Sequence, residues 1–211
     1  MKKSSVIFLS VLILAVFLMG FGGPEHRDIE EYAIVSGIAF DKTSSGYTVC
    51  AEVVNAYKSS DKSFSAKVVE FSGESLEKAF LGLNGVLSKK MTLAYCTVML
   101  VGENLAKKDG LEYVAELFSS QNDARASVTV ALTEGSAKGI LTRKSVIYPI
   151  MAYEITELLH KTKESAKLYE IYPMPDDEIT LQRLVTYTMD KENYVMIGSP
   201  ALIRSGKVIL S

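Results

Sequence analysis

The 211-residue chain has no tryptophan, only two cysteines and only two histidines. Two cysteines cannot build the disulfide framework that stabilises many small secreted domains, so a chain of this length must fold on a hydrophobic core. An excess of positive charge is also missing, because 23 Lys and Arg stand against 25 Asp and Glu, for a formal net charge of -2. This balance excludes the basic field with which nucleic-acid-binding proteins attract phosphates.

Sequence motifs of the common enzyme classes are missing as well. The chain has no G-x-S-x-G elbow, no P-loop and no G-x-G-x-x-G fingerprint. The segment GSAKG at Gly135–Gly139 resembles a phosphate loop but lacks its length and its closing Lys-Ser/Thr, and a helix start after a strand explains it better. S-x-x-K occurs at Ser59–Lys62 and at Ser75–Lys78 without the S-D-N and K-T-G elements that accompany it in penicillin-recognising enzymes. We predict no catalytic residue and no cofactor-binding residue.

Metal-ligating side chains are not spaced for a site. His26 and His160 have no second His or Cys at ligand spacing. His160 falls at the end of a predicted helix, where a cation favours the negative end of the dipole. The acidic run Asp176–Glu178 precedes Thr180 and suits the positive start of a predicted helix better than a bound cation. We therefore predict that the chain has no metal site.

The N-terminus has the pattern of an export signal. Lys2 and Lys3 precede the apolar run Val6–Phe21, and small residues and a proline follow. The stretch Ser4–Gly23 reaches the roughly 20 residues that a membrane-spanning helix needs, so it can also remain as an uncleaved anchor. The lysines would then stay in the cytoplasm and the rest would lie outside. We expect an anchor at residues 1–23, a polar tether at 24–31 and one domain at 32–211.

Strand and helix patterns alternate through that domain. Predicted strands lie at 33–41, 47–55, 68–72, 93–101, 127–132, 194–203 and 207–210, and predicted helices lie at 76–87, 111–118, 136–141, 147–161 and 180–188. The first two strands form a hairpin, Ser75 is a candidate N-cap, and Ser205-Gly206 turns the closing pair. The fold class is therefore α+β or mixed α/β, with a mixed sheet, helices packed on it and a preceding hydrophobic helix. Exposed loops are expected at 56–66 and 172–178.

The two cysteines, Cys50 and Cys96, both fall in predicted strands. Buried free thiols pack as small hydrophobic side chains, and that is the favoured state. A disulfide remains possible if the two strands are neighbours, since the chain carries an export signal. Neither cysteine belongs to a Cys/His/Asn arrangement that would make it a nucleophile.

Four segments resemble the GerC-type spore germination proteins, the third, membrane-anchored subunits of germinant receptors. They are EYAIVSGIAFDKTSSGYTVCAEVVN from Glu31, SGESLEKAFLGL from Ser72, the block from Leu93 to Leu141, and PALIRSGKVILS at the end. In the third block, matching positions are occupied by Gly102, Glu103, Ala106, Gly110, Arg125, Ala137 and Leu141. The first and third blocks are specific, whereas the other two are weak by themselves.

The resemblance implies a non-enzymatic subunit on the outer face of the spore's inner membrane. It would act beside two integral membrane subunits in the response to nutrient germinants, and it brings no catalytic residue to this chain. The family is usually lipid-anchored through a leader cysteine, but here Phe21 follows Leu18-Met19-Gly20. Family members also continue into a larger C-terminal region, so we expect a short member, a fragment or half of a split gene. The alternative function is an exported solute-binding protein, or an enzyme with an unrecognised site.

Overall fold

The computed structural model describes residues 31–55, 65–163, 165–173, 178–189, 192–204 and 207–210, which form twelve strands and six helices. The strands are β1 (Tyr32–Lys42), β2 (Tyr47–Asn55), β3 (Ser65–Gly73), β4 (Lys90–Thr92), β5 (Val98–Gly102), β6 (Thr129–Thr133), β7 (Ala166–Lys167), β8 (Ile179–Leu181), β9 (Arg183–Met189), β10 (Glu192–Ile197), β11 (Ala201–Arg204) and β12 (Lys207–Leu210). The helices are α1 (Leu76–Val86), α2 (Glu103–Lys108), α3 (Leu111–Ser119), α4 (Ala137–Leu141), α5 (Met151–His160) and α6 (Leu168–Ile171).

Nine of these strands form one mixed sheet in the order β10-β9-β6-β5-β1-β2-β3, with β4 beside β1 and β7 beside β6. The inner pairs β1–β5, β5–β6 and β6–β9 are parallel, whereas β1–β2, β2–β3 and β9–β10 are antiparallel. The remaining strands form a small antiparallel sheet in the order β12-β11-β8. The predicted mixed sheet with packed helices is therefore confirmed.

Each face of the large sheet has its own hydrophobic core. One core takes its side chains from α1, α2, α3 and α6 and from the small sheet, for example Phe80, Leu105, Phe118 and Ile203. The other core is built by α4 and α5 on the opposite face. Strands covered on both faces are mostly apolar, as β1 and β5 are, and β6 is buried at every position with a threonine at each end.

Strand β1 contains a bulge, and on the edge opposite β2 it pairs with two separate strands, β4 and β5. Its register with β2 shifts between Val35 and Gly37. On its other side, β4 pairs with β1 before the bulge and β5 pairs with it afterwards. The carbonyl of Ser36, inside the bulge, accepts a hydrogen bond from the backbone N–H of Thr97 at 2.8 Å. For this reason the predicted single strand 93–101 is wrong over its first half: residues 93–97 form a turn, and the strand begins at Val98.

Several local predictions are confirmed. The β1–β2 hairpin forms, and its loop closes with Gly46 at φ 145°. The Ser75 side chain caps α1 by accepting a hydrogen bond from the Lys78 N–H. In the same way Ser136 caps α4, so GSAKG is a strand-to-helix turn. The closing pair β11–β12 also forms, although the predicted strand 194–203 is two strands in different sheets.

The predicted helix 180–188 is wrong. This segment forms β8 and β9, which flank Gln182. Its leucines have helical spacing, but Val185, Thr186 and Tyr187 are of the β-branched and aromatic types that favour a strand once neighbours are available. The sheet provides these neighbours in β6 and β10. The interpretation of Asp176–Glu178 as the cap of a helix at Thr180 is therefore also wrong.

The predicted helix 147–161 begins four residues late, at Met151. Pro149 explains the delay, because a proline disfavours the helical conformation at the residue before it. Ile147 is 77% exposed and lies in the preceding loop. Two short helices, α2 and α6, were not predicted. The expected loop 56–66 ends earlier than predicted, because β3 already begins at Ser65.

The apolar run Val6–Phe21, residues 24–30 of the tether and most of the loop 56–66 lie outside the described residues. Within the described part of the chain, no helix has both the length and the apolar composition needed to cross a bilayer.

Candidate functional site

The first buried polar group is the carboxylate of Asp41, near the end of β1 and only 8% exposed. It accepts hydrogen bonds from the backbone N–H groups of Ala137 at 2.7 Å and Lys138 at 2.8 Å, and from the Ser136 hydroxyl at 2.8 Å. These N–H groups belong to the first turn of α4, where they have no partner within the helix. Asp41 therefore holds the start of α4 against the sheet.

The second is the carboxylate of Glu52 in β2, which is 4% exposed. Its two oxygens accept hydrogen bonds from the N–H groups of Met151 at 2.7 Å and Ala152 at 2.9 Å, at the start of α5. The hydroxyl of Ser36 donates to it at 2.9 Å. A negative charge at a helix N-terminus is stabilised by the unpaired N–H groups and by the helix dipole. Glu52 thus does for α5 what Asp41 does for α4.

Two glycines leave room for this arrangement. A Cβ atom at Gly102 would lie 2.2 Å from Oδ1 of Asp41, and one at Gly37 would lie 2.7 Å from the Cβ of Ala152. Any side chain at either position would push a capping carboxylate or a helix start away from the sheet.

The sequence did not predict that Asp41 and Glu52 accept hydrogen bonds from the first N–H groups of distant helices. The available signal was an acidic residue inside or at the end of an otherwise apolar strand.

A third polar group ties the β1–β2 hairpin to the segment between α2 and α3. Lys42 and Asp109, 23% and 20% exposed, form an ion pair at 2.6 Å. The Tyr47 hydroxyl donates to the same carboxylate at 2.9 Å, and the Tyr47 ring meets Tyr113 edge-on. The hydrogen bond to Asp109 raises the pKa of Lys42, which therefore stays charged. A permanently charged lysine is not poised to act as a base or a nucleophile, so the group is structural.

Cys50 and Cys96 are free and buried, as favoured from the sequence. Cys50 belongs to the core beneath α4 and α5, whereas Cys96 belongs to the core on the opposite face of the sheet. The sheet itself therefore separates the two thiols. Cys96 lies in the turn before β5, not in a strand. Burial raises the pKa of each thiol to about 12.

We expect both thiols to react slowly with a thiol reagent in the native protein and rapidly in denaturant. A thiolate is the reactive form, and burial both shields these sulfurs and keeps them protonated. Titration with a thiol reagent should count two groups in denaturant without added reductant. Stability should also fall as the pH rises from about 9 towards 12, because the unfolded chain ionises both thiols and the folded chain does not. A native protein that reacts as fast as free cysteine would contradict this.

The other residues considered from the sequence have ordinary structural roles. In the Ser75–Lys78 pair, Ser75 is the cap of α1 and the Lys78 ammonium pairs with Glu74 at 2.6 Å. His160 lies in the last turn of α5, as predicted. Glu178 forms an ion pair with Arg204, and Ser59–Lys62 falls outside the described residues. Within the described ranges no cluster of three or more His, Cys, Asp or Glu side chains could hold a metal ion.

Residues 25–174 match the family described as the spore germination protein N-terminal domain. This chain belongs to that family. A curated relative, spore germination protein KC of Bacillus subtilis (strain 168), is 23% identical over 203 residues, which cover 90% of this chain and 49% of the relative. The chain thus spans about half the length of that relative. The crystal structure of the GerBC protein aligns over 82% of this chain and 50% of that one, at 14% identity and a TM-score of 0.36.

The positions on which the family resemblance rests are mostly structural. Gly102 makes room for Asp41, and Ala137 donates its N–H to the same carboxylate. Gly110 starts α3 with φ 88°, a conformation that glycine adopts without strain. Glu103 forms ion pairs with Lys107 and Arg183. Ala106 and Leu141 are buried, and Arg125 is exposed. Of these positions, Gly102 and Ala137 help to hold α4 against the sheet.

Proposed function

We propose that this chain is a non-enzymatic, membrane-held subunit of a nutrient germinant receptor, and that it acts through protein–protein contact. The observation that carries the proposal is the family match over residues 25–174. The two buried carboxylates fit a scaffold role, because Asp41 and Glu52 use their oxygens to fix helices. They are not left free as an acid and a base.

In this proposal residues 1–23 anchor the chain, residues 24–31 are the tether, and residues 32–211 are the receptor domain on the outer face of the spore's inner membrane. The partners are the integral membrane subunits of the receptor. A tether restricts the domain to a thin layer beside the bilayer and so raises its effective concentration near membrane partners. Even a weak interface can then be sufficient. The loop 56–66 and the segment 172–178 are candidate contacts, since binding residues concentrate in loops.

The test is deletion of the gene in its native spore former, in a strain without redundant receptors. Spores should lose the response to at least one nutrient and keep their response to a non-nutrient trigger. Restoring the intact gene should restore the response. Unchanged germination with every nutrient would refute the proposed function.

The anchor makes a separate prediction, because Phe21 stands where an acylated cysteine is expected. The chain should resist extraction at alkaline pH and incorporate no labelled fatty acid. The matched variant Phe21→Cys restores a thiol after Leu18-Met19-Gly20 and should become labelled. Complete release of the unmodified chain by carbonate, or clear acyl labelling of it, would show that the apolar run is not the anchor.

A further inference from the structure

The loop between α4 and α5 displays consecutive apolar side chains to solvent. Val146 is 64% exposed, Ile147 77% and Tyr148 38%. Tyr153, in the first turn of α5, is 39% exposed. Isolated exposed apolar residues are common, but a contiguous group of them marks a contact site for a protein or a membrane.

The polar backbone of this loop is satisfied from within. The carboxylate of Glu154 accepts hydrogen bonds from the Val146 N–H at 2.7 Å, from the Ile147 N–H at 3.3 Å and from the Ser145 hydroxyl. The Ser145 hydroxyl oxygen accepts in turn from the Tyr148 N–H at 2.9 Å. Three successive N–H groups can therefore leave water without losing a partner. Unsatisfied backbone groups are the main cost of placing a loop in an apolar phase.

Two cations stand at the base of the loop. Arg143 and Lys144 line a cleft of about 480 Å³ together with Ser145, Glu192 and Tyr194. Among the described residues neither cation has an ion-pair partner, and Nε of Arg143 has no hydrogen-bond partner. The Glu192 carboxylate, which accepts a hydrogen bond from the Tyr194 hydroxyl, adds one negative charge to the same lining. The lining therefore carries two positive charges against one negative charge at the base of the loop.

We propose that the Arg143–Tyr148 loop enters the interface of a bilayer with anionic phospholipid headgroups. Val146 and Ile147 reach the acyl boundary, Tyr148 lies at headgroup level, and Arg143 and Lys144 bind lipid phosphate. Aromatic side chains concentrate at that level, and basic residues near the surface each strengthen binding to anionic lipid. This charge complementarity favours lipid over a protein partner as the occupant. The inference rests on the proposed function only in that the tether places the domain beside a membrane.

The experiment uses the full chain with a polarity-sensitive fluorophore on Ile147→Cys, reconstituted into vesicles of phosphatidylcholine and phosphatidylglycerol. Some of the lipids carry quenching groups in their acyl chains. The matched control is Leu81→Cys, because Leu81 is 68% exposed on α1, which packs on the opposite face of the sheet from α5. The native thiols are buried, and the unsubstituted chain measures their background labelling.

The Ile147 label should shift to the blue and be quenched from within the bilayer, whereas the Leu81 label should stay in water. Changing Arg143→Gln and Lys144→Gln, or using phosphatidylcholine alone, should lower the embedded fraction of the label. The expected loss is roughly fivefold in the embedded-to-exposed ratio for each cation removed. A chain that floats with vesicles while its Ile147 label stays in water overturns this inference and leaves the anchor intact. A chain that does not float overturns both. An embedded fraction of the Ile147 label that is the same in vesicles of phosphatidylcholine alone overturns the contact with anionic lipid.

Discussion

Replacing Asp41 with alanine should lower the free energy of unfolding by about 3 kcal/mol, because the N–H groups of Ala137 and Lys138 lose their acceptor inside the protein. Domains of this size have only about 5–15 kcal/mol of stability in total. The loss should appear as a lower denaturant midpoint, followed by circular dichroism with the full chain in mild detergent. Asp41→Asn keeps the shape but offers an NH₂ group to an N–H donor, so it should also destabilise the fold.

The control for that measurement is Glu116→Ala, since Glu116 is an exposed carboxylate on α3. Its free energy of unfolding should stay within about 0.5 kcal/mol of that of the unmodified chain. If Asp41→Ala cannot be folded, Gly102→Ala gives the milder version, because its Cβ displaces the same carboxylate without removing it. If both Asp41→Ala and Gly102→Ala unfolded at the same denaturant concentration as the unmodified chain, Asp41 would not be what holds α4.

Glu52→Ala should cost a similar amount, about 3 kcal/mol, because it removes the acceptor for the first N–H groups of α5 and leaves a cavity between sheet and helix. Ser36 allows a finer measurement. Its hydroxyl donates to the same carboxylate, so the Ser36→Ala and Glu52→Ala changes should be coupled by about 1 kcal/mol in a double-mutant cycle. Strict additivity would mean that the two side chains do not share a hydrogen bond in solution.

Much of the fold could be predicted because local signals and tertiary structure agree. The β1–β2 hairpin, α1 with its Ser75 cap and the α4 start at Ser136 all depend on a few neighbouring residues. The segment 180–188 was predicted wrongly because its leucine spacing fits a helix, while its partners β6 and β10 become visible only in the assembled sheet. Long-range pairing of this kind overrides local periodicity.

The polar sites could be predicted less well for the same reason. Asp41 and Glu52 are each separated from their helix by roughly a hundred residues, and nothing in local spacing connects them. The loop before α5 was obscured by a helical pattern in which Ile147 fitted the apolar side. Pro149 favours a helix that begins after it, because a proline disfavours the helical conformation at the preceding residue. Ile147 therefore lies in the loop before the helix and not on its buried face.

The position of β1 in the sheet has a consequence for the order of folding. Its antiparallel neighbour β2 follows after a tight turn and β3 pairs next to it, whereas its parallel neighbour β5 arrives only after β3, α1 and β4 have been made. Closing the longer loop costs more chain entropy before any contact compensates for it. We expect pulse-labelling hydrogen exchange to protect β1–β3 amides before those of β6, and simultaneous protection would contradict this order. During synthesis the N-terminal part of the chain emerges first, so the β1–β3 meander could form before α4 and α5 have been synthesised. The carboxylates of Asp41 and Glu52 would then be in place before the helices whose N–H groups they accept from.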